Sequence, residues 1–244
     1  MRGDILKKKL MVLCAVAIII STCLSGCKMN SGKIRFGSAG IGGTYQIFGD
    51  TFANLISSKS KKYNIEVKTT AGSAANLRLL SKDYIQMAVA QMDLINDAYN
   101  RTGIFENDKK YQGYRAVASL YTEACQIVVP ADSDIQSMDD LEGKKVCIGE
   151  EESGTEQNAL QILNAYGLNE RLVDTVNLNY TDAAKKLKSG DIDAFFCTAG
   201  VQTTVINELS KQCKIRLVSL DQKGISRLKK SYKFYTEYTI PAGT

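Results

Sequence analysis

Three times in this chain a short apolar run ends in a glycine-containing turn that opens directly into a helical pattern, and that grammar points to an α/β fold. Ile34-Arg35-Phe36 leads into Gly37-Ser38-Ala39-Gly40-Ile41-Gly42-Gly43. Tyr45, Phe48, Phe52, Leu55 and Ile56 then recur at steps of 3, 4, 3 and 1, the spacing of one helical face. Residues 65–69 lead through Ala71-Gly72-Ser73 to a helix carrying Leu77, Leu79 and Leu80. Residues 145–148 lead through residues 149–155 to a helix carrying Leu160, Ile162 and Leu163. Strands alternating with helices predict mainly parallel sheets.

A weak internal repeat predicts two lobes. Residues 76–90 (NLRLLSKDYIQMAVA) and 183–197 (AAKKLKSGDIDAFFC) both run helix, Leu-x-Ser-x-Asp, a polar residue, then a buried strand. We read them as equivalent helix-to-strand returns, one per lobe, although any single α/β unit also makes such a turn. The boundary falls within residues 119–132, where an apolar run reaches Pro130, and the chain crosses back near residues 217–221. The expected division is a first lobe at 33–120 with a return segment at 221–244, and a second lobe at 121–220.

Arg2, Lys7, Lys8 and Lys9 precede an uncharged stretch at residues 10–27, and Leu24-Ser25-Gly26-Cys27 sets small side chains directly before a cysteine. This reads as a lipoprotein signal peptide at residues 1–26, with Cys27 lipidated as the first mature residue and residues 27–32 as a tether. The competing reading is an uncleaved anchor, since 18 uncharged residues just span a bilayer. Either way the globular part is expected to be extracytoplasmic, and a lipid on Cys27 would tie it to the bacterial cell membrane.

Without residues 1–26 the chain keeps 218 residues and a net charge of +2. That suffices for two lobes of about 100 residues each, and it is too evenly charged for a nucleic-acid partner. The chain has no histidine, which removes the commonest general base and zinc ligand. Cys125, Cys147, Cys197 and Cys213 are never two or three residues apart, so neither a redox pair nor a zinc ribbon is indicated. They read as small buried apolar residues, or as disulfides whose pairing stays open. No metal, cofactor or catalytic residue is expected.

Gly37-x-x-x-x-Gly42-Gly43-Thr44 has the outline of a phosphate-binding loop with Gly43 in place of the essential lysine. Read as a dinucleotide fingerprint, it has Ala39 where the second glycine belongs. What both motifs share is a helix N-terminus whose exposed N–H groups attract an anion. Ser153-Gly154-Thr155-Glu156 makes a second such terminus and also fits a capping box, and Gly72-Ser73 makes a third. All three sit at the carboxyl ends of strands, where open α/β sheets form their crevice. They predict a cleft for a small carboxylate. Each helix end contributes about 0.3–2 kcal/mol against roughly 8 kcal/mol for micromolar binding. Thr44, Ser73, Gln91 and Thr155, with stacking on Tyr45 or Tyr121, are therefore expected to supply much of the rest.

Several of these segments recur in an order that resembles a known family. They are Gly42-Gly43-Thr44-Tyr45, residues 71–77, Gln91-Met92-Asp93, Ser119-Leu120-Tyr121, Ser153-Gly154-Thr155-Glu156, residues 193–196 with Ala199-Gly200, and residues 239–244. In that order the chain resembles the TAXI family, the extracytoplasmic receptors of the tripartite ATP-independent TRAP transporters. The resemblance implies a type II periplasmic-binding-protein fold, two lobes closing on glutamate or a related carboxylate, and delivery to a TRAP membrane permease driven by an ion gradient. Carried over by motif, Thr44, Tyr45, Ser73, Asn76, Gln91, Tyr121, Ser153, Gly154, Thr155 and Gly200 are the implied ligand-binding residues. Glu150, Glu151 and Glu152 replace the small, Gly- and Pro-containing run usual in the family; their charge would either lie in solvent or receive an ammonium group, which favours an amino acid over a plain dicarboxylate. The family continues past the Ile-Pro-Ala-Gly-Thr motif, so the fold is expected to be truncated at the C-terminus, in the first lobe. The alternative is an exported enzyme with a related two-lobe fold. For that reading, Ser73 or Ser153 lacks a histidine to activate it, and Lys82 and Lys185 fall on solvent-like helix faces.

Overall fold

The computed structural model describes residues 33–110, 112–201 and 203–243. The signal peptide, the tether and Cys27 lie outside the described residues. Among the described residues, no helix is long and apolar enough to cross a membrane.

The first lobe runs β1 (Lys33–Gly37), α1 (Thr44–Lys59), β2 (Asn64–Lys68), α2 (Ser73–Ser81), β3 (Met87–Ala88) and α3 (Met92–Asn100). Its sheet is parallel throughout, in the order β2-β1-β3. After an extended stretch at residues 112–123 come β4 (Ala124–Pro130), β5 (Lys145–Cys147), α4 (Gly154–Ala165), β6 (Asp174–Val176), α5 (Tyr180–Ser189) and β7 (Ala194–Ala199). They are followed by α6 (Thr204–Gln212), β8 (Ile215–Leu217) and α7 (Gln222–Ser231). The second sheet has the order β6-β5-β7-β4-β8. It is parallel only at β5, β6 and β7; β4 runs antiparallel to both neighbours. Pairing is thus mainly parallel, as expected, and β4 is the exception because it enters from the other lobe rather than through a crossover helix.

The internal repeat is real and larger than the sequence match. β1-α1-β2-α2-β3 and β5-α4-β6-α5-β7 share one connectivity and one strand order. In each lobe the returning strand pairs in parallel with the strand that feeds the glycine turn: Met87 opposite Phe36, and Ala194 opposite Val146. Both returns close the same way. The Tyr84 N–H donates to the Leu79 carbonyl at 3.0 Å and the Asp191 N–H to the Lys186 carbonyl at 2.9 Å, each over a left-handed residue, Asp83 or Gly190. This match sets the Leu-x-Ser-x-Asp motifs one residue out of step.

The return segment needs correcting. Residues 221–231 do not go back to the first lobe: Leu228 of α7 is buried with Ile162 and Leu163 of α4. Arg227 donates to the Ala165 carbonyl at 2.9 Å, and the Tyr166 hydroxyl donates to Asp221 at 2.9 Å. α7 has one narrow apolar face, and α4 offers the apolar surface that covers it.

The β7 residues Phe195 and Phe196 are both fully buried, on opposite faces of a sheet covered on both sides. The first lobe has a smaller core, with Leu77, Leu94 and Phe105 on one side and the rings of Phe36, Phe48 and Phe52 within 6.1 Å of one another on the other. Asn76 stands between its strands with no exposure at all. Its Nδ2 donates to the carbonyls of Ser38 at 2.7 Å and Val89 at 2.9 Å, and its Oδ1 accepts from the Thr70 hydroxyl at 2.8 Å. One carboxamide therefore ties the ends of β1, β2 and β3 together. Asn76→Ala strands the Val89 carbonyl, while the Thr70 hydroxyl at 3.0 Å still serves that of Ser38. One stranded carbonyl costs about 1–3 kcal/mol, so urea melts should show a loss of that size; a loss under about 0.5 kcal/mol would contradict this role.

Candidate ligand-binding cleft

Four helices begin at one place. α1 starts after Gly43, α2 after Gly72, α4 after Ser153 and α5 after Asn179, and all four of these positions line a cleft of about 40 Å³ between the lobes. Each lobe contributes two. α1 and α2 carry no side-chain cap, because glycine has none to offer. Ser153 Oγ accepts from the Glu156 N–H at 2.9 Å, and Asn179 Oδ1 accepts from the Asp182 N–H at 2.9 Å. The expected capping box is half formed. The Ser153 N–H turns to the Glu150 carbonyl, so the Glu156 carboxylate instead accepts from the Glu152 N–H at 2.8 Å.

Of the sequence candidates, Thr44, Tyr45, Ser73, Gln91, Ser153, Gly154 and Thr155 line the cleft. Ser73 Oγ accepts from the Gln91 N–H at 3.0 Å, which fixes Gln91 over the start of α2. The hydroxyls of Thr155 and Tyr180 lie 2.5 Å apart, and Tyr180 donates onward to the Thr198 carbonyl at 2.9 Å. Three candidates fall outside the wall. Asn76 lies beneath it with its amide used in the lobe's own structure. Tyr121 packs edge-on against Tyr45, centroids 6.4 Å apart, and Gly200 lies under its ring.

Glu123, Asn179 and Tyr180 are wall residues that the sequence reading does not reach, while Glu150, read there only as charge near the anion site, also lies in the wall. Asn179 and Tyr180 were findable from the repeat, since α5 is the counterpart of α2. Glu123 had a fainter signal, a lone charge directly before the buried run of β4.

Glu123 dominates the electrostatics. Its Oε2 accepts from the Tyr45 hydroxyl at 3.1 Å and its Oε1 from the Tyr121 hydroxyl at 3.2 Å. Burial pushes its carboxyl up to about 7, against the pull of these phenols and the Gln91 amide. Burial, then the nearby Asp182, raises Glu150 as well. Among the described lining residues there is no lysine or arginine.

The lobes touch around this cleft. Arg78 of α2 pairs with Glu152 at 2.7 Å, the Ala75 N–H donates to the Glu152 carbonyl at 3.2 Å, and Thr181 Oγ1 donates to the Ile41 carbonyl at 3.2 Å. Gln91 Nε2 reaches Asn158 of α4 at 3.1 Å. Two glycines permit this approach: a Cβ on Gly40 would strike the Glu150 carboxylate, and one on Gly154 would strike the Gln91 amide. A larger concavity of about 2230 Å³ adjoins the cleft, along residues 112–123 and 234–243, and shares Tyr45, Gln91, Glu123 and Thr198 with it. It is an open trough carrying exposed Val117, Leu120, Phe234 and Tyr238, without the converging helix ends.

A sequence profile of the NMT1-like family matches residues 36–244, nearly the whole described chain. The chain belongs to the NMT1-like family. Among solved structures, a protein from Bordetella bronchiseptica RB50 is similar with a TM-score of 0.58 at 19% identity, over 77% of this chain and 56% of that one. The binding component of an ABC phosphonate transporter from Pseudomonas aeruginosa gives 0.54 at 12% identity, over 87% and 76%. The alkanesulfonate-binding protein SsuA from Xanthomonas axonopodis pv. citri, bound to MOPS, gives 0.52 at 18% identity, over 77% and 60%. This chain thus spans 60% of the length of that alkanesulfonate-binding protein. At these identities the likeness is one of fold, and the α/β fold resembles the two-lobed architecture of type II periplasmic binding proteins.

The raised Glu123 carboxyl has a sign that can be measured. Its folded value of about 7 exceeds the unfolded value of about 4.3, so the folded state holds the proton more tightly. The resulting stability is full below the unfolded value and lost as pH rises through about 7. Glu123→Gln should therefore gain melting temperature relative to the parent on going from pH 4.5 to pH 8. Parallel curves for the two proteins would contradict the assignment.

Proposed function

We propose that this protein is an extracytoplasmic solute-binding lipoprotein that captures a small carboxylate, a glutamate-like amino acid or a dicarboxylate, and hands it to a TRAP-type secondary transporter. The cleft lies between a first lobe at residues 33–120 and a second lobe that begins at residue 121 and keeps α7. One observation carries this reading: four helix N-termini, two from each lobe, converge on one cleft. Uncapped N–H groups at α1 and α2 suit an anion. Solved structures of the same fold are described as binding proteins for alkanesulfonates, phosphonates and amino acids.

Binding without turnover is supported by the serines. Ser73 and Ser153 both accept hydrogen bonds from backbone N–H groups, and among the described residues neither has a basic partner to take its proton. The TRAP assignment rests on the ordered motifs from Gly42 to Gly243, and membrane attachment rests on the sequence around Cys27. One acyl chain binds reversibly, so stable attachment there takes more than one.

A melting screen of amino acids and organic acids tests the reading. At a hundredfold excess over Kd a ligand stabilises by about 2.7 kcal/mol. Uptake dependent on the protein should collapse with a sodium or proton ionophore while ATP is maintained; uptake that follows ATP instead would assign it to an ABC importer. Gly40→Ala should bind more weakly than the parent, because its Cβ meets the Glu150 carboxylate where the two lobes touch and that side chain has to shift. Equal affinity in calorimetry would show that closure is not coupled to binding. Cys27→Ala should leave the membrane fraction.

A further inference from the structure

We propose that Glu123 is the specificity-determining residue of the cleft, receiving a cationic ammonium group on the ligand, so that the solute is an amino acid rather than an amine-free acid. The inference rests on the receptor reading above and narrows it to a substrate class.

The wall holds two carboxylates, Glu123 and Glu150, and no basic side chain among its described residues. A dicarboxylate would bring two more negative charges to a pair that burial already disfavours. The four helix ends accommodate one anionic group, and the acceptors call for a donor-rich cation beside it. Glu123 Oε2 accepts from Tyr45 and Oε1 from Tyr121, and with the Gln91 amide also pulling on the carboxylate it keeps one further lone pair. Gln91 Oε1, also in the wall, is a buried acceptor with no partner. An ammonium group has three donors and no acceptor, which suits this carboxylate and this amide oxygen together.

Glu123, pushed up to about 7, is faced by groups whose own directions are all upward. Tyr45 on α1, Tyr121 beside it, Tyr180 on α5, Cys125 on β4 and Cys197 on β7 are all held neutral by burial. Asp93 on α3 is also raised by burial, but is held down by the Leu94 N–H and by Asn158. A bound ammonium stabilises the Glu123 carboxylate, so capture releases a proton and tightens as pH rises through about 7. A site in which protonated Glu123 donates to an amine-free acid would do the reverse, taking up a proton and weakening with pH.

Isothermal titration calorimetry distinguishes the two. The full-length mature protein is titrated, in buffers of different ionisation enthalpy, with the common L-amino acids and their amine-free counterparts, glutarate for glutamate and propionate for alanine. The expected result is binding of an amino acid with proton release, at least about thirtyfold weaker binding of its counterpart, and a similar loss in Glu123→Gln. The proton release is read on the parent protein, so the inference stays testable even if the variant folds poorly. An amine-free acid that binds as tightly, or proton uptake on binding, would overturn the inference while leaving the receptor reading standing. No binding by any member of the set would overturn both.

Discussion

In a parallel β-α-β unit the helix that follows a strand has to begin at the carboxyl edge of the sheet, and this handed constraint is what the rest of the molecule is built on. It makes the first turn of α1 and α2 in one lobe, and of α4 and α5 in the other, share an edge. Apposing two such edges brings four sets of backbone N–H groups to one cleft. No side chain of special chemistry is needed for that, which is why a chain without histidine can still carry a site. The edge of the first lobe has only a two-residue β3 to anchor it, so the Asn76 carboxamide, bridging the ends of its strands, holds its two helix starts in place.

The charge pattern follows from the same geometry. Helix ends present partial positive charge worth about half an elementary charge each, and the carboxylates Glu123 and Glu150 stand where that field falls. Burial makes both carboxyls harder to ionise, with the two tyrosine phenols stabilising Glu123 only in part. The cleft is thereby biased toward a ligand that carries both signs. Around it, polar contacts between the lobes include Arg78 and Ala75 with Glu152, Thr181 with Ile41, and Gln91 and Asp93 with Asn158. Bonds of that kind exchange readily with water, as opening and closing require.

Much of this was legible in the sequence because it is local. A strand, a glycine turn and an amphipathic helix leave periodic marks, and the elements around β1, β2 and β5 fall where those marks put them. Seven of ten ligand-site candidates reach the wall because they sit at helix starts, whose position the turn itself fixes. Asn76 was misplaced for the opposite reason: a polar residue after a glycine turn looks the same whether it faces the cleft or the strands below. The antiparallel β4, the packing of α7 on α4 and the inward turn of Glu123 are all set by partners distant in sequence. The repeat was recognised in its weakest part, the helix-to-strand return, and its implication of a fourth helix terminus at Asn179 went undrawn.

The central claim is that ligand is held jointly by the four helix starts. Hydrogen–deuterium exchange, with and without a solute that raises the melting temperature, tests it most directly. The account predicts slowed exchange together at residues 42–46, 72–75, 153–156 and 179–182. Protection confined to one lobe, or appearing instead along the open trough at residues 112–120 and 234–243, would contradict it.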